Sequence, residues 1–411
     1  MIIVNDKYNC CGCCACGDIC PKQAISFKND EEGFWYPQVD RTKCVNCNLC
    51  EKVCPFLKEK DTSKPLDCFA AFNKNEEERK NSSSGGIFAL LMNHVLDEQG
   101  VIFGAVLDKN WMVCHTHVDN YEDAKLLRGS KYVQSYLEGN YKQVQEYLKQ
   151  GRKVLFSGTS CQVAALKNFL GKEYDNLITV DVVCHGVPSP GVWKEYLKYL
   201  RRPEGAVKGK NTVLSSLNDT PSIEGISFRD KANGWKKYGF VVRYSTDHRE
   251  VEKFGLSSLN TNFVWESHDD NVYMQGFLNN FYLRPSCYRC RVKAGRCGSD
   301  LTLGDFWGIE DVMPHIDDDK GVSLVLANSK KGEDIIRIIN PVLYEIPYEC
   351  GLRGNPCIEH SVVETKWRTL FMKRFCKTHD INEVKKIIRR MKPSLFDRIF
   401  RKIKNFLLSK K

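Results

Sequence analysis

The chain has 411 residues, enough for two or three domains and a sizeable core. Apolar residues make up 42% and charged residues 27%, ordinary for a globular protein. No apolar run reaches the roughly 18 residues of a membrane span. The net charge of +10 is concentrated at one end: from Ile381 onward there are 11 Lys and Arg against 2 acidic residues. The body is therefore nearly neutral, and the total gives no reason to expect a nucleic-acid partner.

The opening residues, MIIVNDKYNC, lack a basic segment followed by an apolar one, so no secretory signal is read there. Twenty cysteines in a long chain of this kind point to metal ligation in a reducing, cytoplasmic setting rather than to a disulfide framework. The stretch NCCGCCACGDICPKQ (Asn9 to Gln23) matches the bacterial ferredoxin run C-x2-C-x2-C-x3-C-P in one frame: Cys10, Cys13, Cys16, Cys20 and Pro21. The alternative frame, from Cys11 through Cys14, would need a cysteine where Gly17 stands. Cys11 and Cys14 are left over and read as small apolar fillers. The run recurs at Cys44, Cys47, Cys50, Cys54 and Pro55.

In such a pair the fourth cysteine of each run ligates the other cluster. Cluster I should take Cys10, Cys13, Cys16 and Cys54; cluster II should take Cys44, Cys47, Cys50 and Cys20. Zinc knuckles, which favour separated cysteine pairs, fit the doubled triple-plus-one pattern poorly. Residues 1–60 thus read as a small α+β, bacterial-ferredoxin-like domain with two 4Fe-4S clusters, and polar residues 61–67 as a linker.

The body opens near Cys68. NSSSGGIFALLMNHVLDEQG (Asn81 to Gly100) has serine N-cap candidates, an apolar helical pattern and a terminal glycine. VIFGAVL and MVCHTHV read as a hairpin. NYKQVQEYLKQG is a helix, followed by RKVLFSGTSCQVAALKNFLG and NLITVDVVCHGVPSPGVWKEYLKYL, each a strand, a turn and a helix. This order implies a parallel βαβ unit, whose ligands gather beyond the carboxyl ends of the strands. Cys161 and Cys184 fall there. The stretch from about 205 to 270 suggests an insertion or small antiparallel layer. SCYRC follows, with Cys287 and Cys290, then Cys297. The core ends with strand GVSLVLANS and helix GEDIIRIINPVL. The fold class read here is an α/β main domain with a mixed, partly parallel sheet.

The pieces SSSGGIFALL, GSKYVQS, GTSCQVAAL, CHGVPSP, SCYRC and DLTLGDFWGI, spread over roughly residues 68–345, resemble the beta-subunit family of coenzyme F420 hydrogenases and dehydrogenases. The fused ferredoxin run resembles a bacterial-type branch of it. One departure is Ser160, where the family usually has proline. The resemblance implies FAD and a third 4Fe-4S cluster. It puts a flavin-associated part at residues 68–150, with Ser83, Ser84, Gly85, Gly86, Lys131, Tyr132 and Gln134 around the cofactor. Residues 151–345 would hold the third cluster, on Cys161, Cys184, Cys287 and Cys290, with Cys297 as a substitute ligand.

A Ser-Ser-Gly-Gly helix start also offers backbone N–H groups to a pyrophosphate, or is simply a capped helix. Candidate catalytic residues are Lys131, His185 and Asp305. Lys131 either stabilises a reduced, anionic flavin ring or is a solvated lysine. His185 either moves a proton or is hydrogen-bonded beside its turn. Asp305 either approaches the cofactors or caps the GDFWG turn.

Residues 346–411 read as a basic tail. Its SLFDRIFRKIKNFLLSKK segment, within 392–411, has the amphipathic pattern of a helix for an anionic membrane surface or an acidic partner, or of one docked on the body. The expected activity is an iron–sulfur flavoprotein oxidoreductase. It would pass electrons between ferredoxin-type clusters and FAD, with hydride transfer to or from coenzyme F420 or another organic substrate. Its expected partners are ferredoxin or another redox protein and a small-molecule hydride donor or acceptor. The alternative is a non-catalytic electron-transfer subunit of a larger complex. The expected location is cytoplasmic, with a peripheral contact at the inner membrane face through the tail.

Overall fold

The computed structural model describes residues 1–58, 60–202, 222–245 and 263–391. Each cysteine run forms a loop closed by one turn of helix, Ala15–Asp18 and Leu49–Lys52. Left-handed residues, Cys14 (φ +65°) and Asn48 (φ +60°), start both turns. Between the loops, β1 (Ile25–Asn29) pairs antiparallel with β2 (Trp35–Val39), Ile25 opposite Val39. The hairpin turn contains Gly33 at φ +82°, where an added Cβ would lie 2.4 Å from Gly191 Cα. Two glycines thus let the cysteine lobe and the main domain meet backbone to backbone.

The main sheet has eight strands: β3 (Asp67–Phe72), β4 (Val101–Leu107), β5 (Val113–Val118), β6 (Val154–Thr159), β7 (Leu177–Val182), β11 (Leu301–Asp305), β12 (Ser323–Ala327) and β13 (Val342–Glu345), in the order β13-β3-β12-β11-β7-β6-β4-β5. β11, β7, β6 and β4 are mutually parallel; the strands flanking them pair antiparallel. β4 and β6 begin with Val101-Ile102-Phe103 and Val154-Leu155-Phe156, all fully buried, because helices cover both faces of a parallel sheet. Helices Ile87–Asp97 and Lys330–Ile338 pack on one face. Asn140–Lys149, Ser160–Leu170 and the cysteine lobe pack on the other, where Val53 and Phe56 join Val154 and Phe169. A separate antiparallel sheet of β8 (Ile223–Asp230), β9 (Gly239–Tyr244) and β10 (Phe263–Ser267) forms the small layer that the polar middle stretch suggested.

Two expectations change. The helix expected over Asn81 to Gly100 begins only at Ile87, because Gly86 is left-handed (φ +85°) and holds Ser82 to Gly86 as a loop. Residues 346–391 are no loose tail. Helices Lys366–Thr378 and Glu383–Met391 bury Phe371, Phe375, Val384 and Ile387 in the same core as Phe281 and Tyr282. Arg368 also reaches Glu32 on the cysteine lobe at 2.6 Å. The charge density of the segment hid this apolar face. The amphipathic segment at 392–411 lies outside the described residues. Among the described residues, no helix is long and apolar enough to cross a membrane.

Candidate iron–sulfur and cofactor sites

The electrostatics of the thiols show which of them are neighbours. Burial pushes Cys16 well up, and its neighbours Cys13, Cys10, Cys14 and Cys54 push it further. Cys54 is pushed up to about 12, by burial and then by Cys13 and Cys10. Cys54 thus joins the first run although 38 positions beyond Cys16. The second set, Cys20, Cys44, Cys47 and Cys50, lines a small pocket with Ile25, Val39 and Leu49. Backbone N–H groups donate to two of its sulfurs, Ile2 to Cys50 and Ala24 to Cys20, both at 3.3 Å. N–H donors on sulfur favour the thiolate that iron needs. Among the described residues no three His, Cys, Asp or Glu side chains form a group for a single metal ion. The residues present fit 4Fe-4S clusters: each set supplies four thiols and apolar walls.

The structure also brings Cys161, Cys184, Cys287 and Cys290 together. Cys184 is pushed up by burial and then by Cys287, Cys161 and Cys290, with Lys293 opposing; Cys287 is pushed up to about 12, with Cys290 and Cys161 among the causes. The topology explains the meeting. Cys161 and Cys184 follow β6 and β7, adjacent parallel strands, so both emerge at one sheet edge. The short helix Pro285–Arg289 brings Cys287 to the same place, where Val187 N donates to its sulfur at 3.4 Å. Cys297 lies apart: its thiol is hydrogen-bonded to Asp181 and Ser299. Ser160 also donates to Asp181, at 2.6 Å.

Cys11 is more than a filler. Its buried thiol lies next to both Cys13 and Cys161, one from the first run and one from the main domain, and Cys11 is the largest influence lowering Cys161 to about 7. Cys14 instead donates to Gly12 O from a buried position. No spacing rule could have shown this difference, since both cysteines sit between ligands.

The same sheet edge collects the flavin-associated residues. Ser84 donates to Val322 O at 3.0 Å, and Gly85 N donates to Ser323 Oγ at 3.0 Å, which fixes the loop beside the start of β12. Ser83 Oγ accepts from Ser130 N. Asp305, at the end of β11, pairs with Arg229 and accepts from Trp235 Nε1 at 3.1 Å. Arg229 is buried, and two of its nitrogens, Nε and Nη2, lack a hydrogen-bond partner. Burial works against its charge; Asp305, then Tyr132 and Tyr238, more than offset this. Trp235 stacks on Trp307 at 4.9 Å. An arginine with buried free donors, among aromatic rings and beside a Ser-Gly loop, fits a planar cofactor with anionic groups.

Lys131 donates to the carbonyls of Leu127, Arg128 and Gly129, closing the helix Tyr121–Leu127. It is partly exposed yet crowded by protein, and desolvation pulls it down to about 7. Tyr132 stacks on Phe277 at 4.7 Å, and Phe277 meets His185 edge-on at 5.4 Å. His185 Nε2 lies 2.6 Å from Asn280 Oδ1, and burial lowers its pKa. A continuous path of side chains thus leads from the third cysteine set through His185, Phe277 and Tyr132 to Arg229 and Asp305. Gln134 lies elsewhere: it donates to Cys11 O at 3.0 Å and accepts from Arg284 Nη1, at the seam with the cysteine lobe.

Residues 151–344 match the family model for the C terminus of the coenzyme F420 hydrogenase/dehydrogenase beta subunit, and residues 9–57 match the 4Fe-4S dicluster domain. Residues 151–344 are thus a domain of the kind that ends the coenzyme F420 hydrogenase/dehydrogenase beta subunits, and a 4Fe-4S dicluster domain stands in front of it. An uncharacterised protein of Methanocaldococcus jannaschii is 27% identical over 210 residues, which is 42% of this chain and 56% of that relative. The match therefore spans little more than half of the relative. An uncharacterised ferredoxin of the same organism is 40% identical over 53 residues, 13% of this chain and 68% of the ferredoxin. Among solved structures, a chain of the F420-reducing NiFe hydrogenase complex from Methanosarcina barkeri aligns at 18% identity, over 81% of this chain and 94% of that one, with a TM-score of 0.42. The protein is thus related to iron–sulfur electron-transfer oxidoreductases.

Proposed function

We propose that this protein is an iron–sulfur flavoprotein oxidoreductase. In this reading a protein donor or acceptor such as ferredoxin meets the cysteine lobe, and electrons pass between clusters I and II, a third 4Fe-4S cluster and FAD. When bound, FAD supplies the conversion between single electrons and a hydride exchanged with an organic substrate, coenzyme F420 or another carrier. The observation that carries the reading is the meeting of Cys161, Cys184, Cys287 and Cys290 at the sheet edge that also holds Asp305 and the Ser83–Gly86 loop.

The chain's residues have separable tasks. The four thiols would hold the third cluster. Ser83, Ser84, Gly85 and Gly86 would hold the flavin's phosphates, and Tyr132 would flank its ring. Arg229, fixed by Asp305, would offer its free N–H groups to an anionic edge. Lys131, at about 7, can hold or release a proton near neutrality. His185, held neutral by burial, can accept one.

Anaerobic purification followed by iron, sulfide and flavin determination on one sample tests the whole. About twelve irons and one flavin per chain are expected. Cys287→Ser should remove about four of those irons and leave the cluster I and II signals in place. Flavin absent from a preparation that retains its iron would favour the non-catalytic electron-transfer subunit.

A further inference from the structure

Three buried arginines, Arg79, Arg229 and Arg368, each face a carboxylate: Asp318, Asp305 and Glu32. Arg284 is fully buried, and among the described residues no carboxylate pairs with it. Its Nε donates to Cys10 O at 2.7 Å, Nη1 to Gln134 Oε1 at 3.0 Å, and Nη2 to Trp35 O at 2.9 Å and Cys10 Sγ at 3.5 Å. Tyr36 and Phe34 lie against it at 4.4 and 5.3 Å. A guanidinium stays protonated, and a buried cation without a counter-charge is strongly unfavourable. The ionisable groups that face it are Cys10, Tyr36, Cys11 and Cys287, so thiols from the cysteine lobe and the main domain, which carry negative charge once they ligate iron, face one cation.

We propose that Arg284 is the counter-charge of cluster I, shared with the third cysteine set, and that it raises the reduction potential of cluster I above that of cluster II. Reducing a cluster by one electron adds one negative charge and breaks no bond. A fixed cation 3.5 Å from a ligand sulfur stabilises that added charge, the more so in a dry interior. The cation beside cluster II, the amino group of Met1, is instead screened by solvent and already paired with Glu51 at 3.0 Å, and Cys47 is exposed. With both clusters bound, an electron entering at cluster II from a one-electron protein donor would therefore favour cluster I, beside Arg284. The sharing with Cys287 rests on the proposed third cluster; the effect on cluster I does not.

The test is an anaerobic redox titration of the full chain followed by electron paramagnetic resonance. Cys16→Ser and Cys47→Ser assign the signals of clusters I and II. In Arg284→Gln, the reduced-to-oxidised ratio of cluster I at the wild-type midpoint should fall at least tenfold, a shift of about 59 mV for one electron. Cluster II should stay unchanged. Arg284→Lys, which keeps the charge and loses the planar fork, should retain most of the wild-type value. Should Arg284→Gln lose its iron, Gln134→Glu places a carboxylate on Nη1 and should lower cluster I in the same way. An unchanged cluster I potential in either charge variant, or equal shifts of both clusters, overturns the proposal. A wild type with about eight irons rather than about twelve removes the third cluster only, and the cluster I shift still decides the role of Arg284.

Discussion

The two cysteine runs share one spacing and live in opposite surroundings. Around cluster I, Cys13, Cys16 and Cys54 are buried, Trp35 Nε1 donates to Gly12 O at 2.8 Å, and Gln134 and Arg284 reach in from the main domain. Around cluster II, Cys50 is buried, but Cys47 is exposed, Cys20 and Cys44 are partly so, and Val45 is 58% exposed. Equal ligation with unequal burial separates two tasks. The outer site is open to solvent at Cys47, whereas the inner one is enclosed mostly by the fold.

The largest effect should come from breaking either site. Cys16→Ser and Cys47→Ser should each remove about four irons per chain. Each should also abolish reduction of the main domain by a reduced ferredoxin, followed by absorbance under anaerobic conditions. Cys47→Ser should keep its flavin; loss of flavin with that outer cysteine would mean that the two ends of the molecule are not independent.

The next effect tests the shelf beneath the inner site. His115 N donates to Tyr136 O, and its ring lies within hydrogen-bond distance of Ser135 Oγ and Ser157 O. Tyr136 in turn meets Trp35 and Phe27 of the cysteine lobe. Burial lowers His115 to about 4, whereas in the unfolded chain it titrates near 6.5. Between those values the unfolded state binds the extra proton, so stability is complete above about pH 6.5 and falls as pH drops toward 4, by about 3 kcal/mol in all. His115→Asn should flatten that slope in denaturant unfolding measured from pH 5 to 7.

A smaller effect is expected at Gly12, which is left-handed (φ +68°) and has no room: a Cβ would lie 2.5 Å from Gln134 Nε2 and 2.6 Å from Arg284 Nη1. Gly12→Ala should cost about 1–3 kcal/mol, read as a lower unfolding midpoint. On the outer side, Lys43 and Asp40 form a 3.6 Å pair with side chains 62% and 42% exposed. Lys43→Ala should change stability by at most about 1 kcal/mol, in the same assay. A larger loss there than at Gly12 would reverse the contrast between the two sites.

Much of this was legible along the chain. The cysteine runs announce a dicluster domain because a cluster loop is local, and the strand–turn–helix pattern puts Cys161 and Cys184 at the carboxyl ends of parallel strands. Asp305 was noticed for its glycine-flanked turn, but its partner Arg229, on a strand of the separate small sheet, carries no motif. The resemblance of GSKYVQS to the family motif places Gln134 with Lys131 and Tyr132. Three positions along an extended segment suffice to turn it toward the cysteine lobe instead.

By itself, then, the sequence determined the iron–sulfur chemistry of residues 9–57 and the mixed sheet of the main domain, because ligand spacing and hydrophobic periodicity are properties of short stretches. Only the tertiary structure decided which cluster faces inward, that Cys11 lies between Cys13 and Cys161, and that Arg284 sits among thiols without a carboxylate. Those facts arise from the docking of segments more than a hundred residues apart, where burial and charge depend on the assembled neighbours and not on the residues adjacent in the chain.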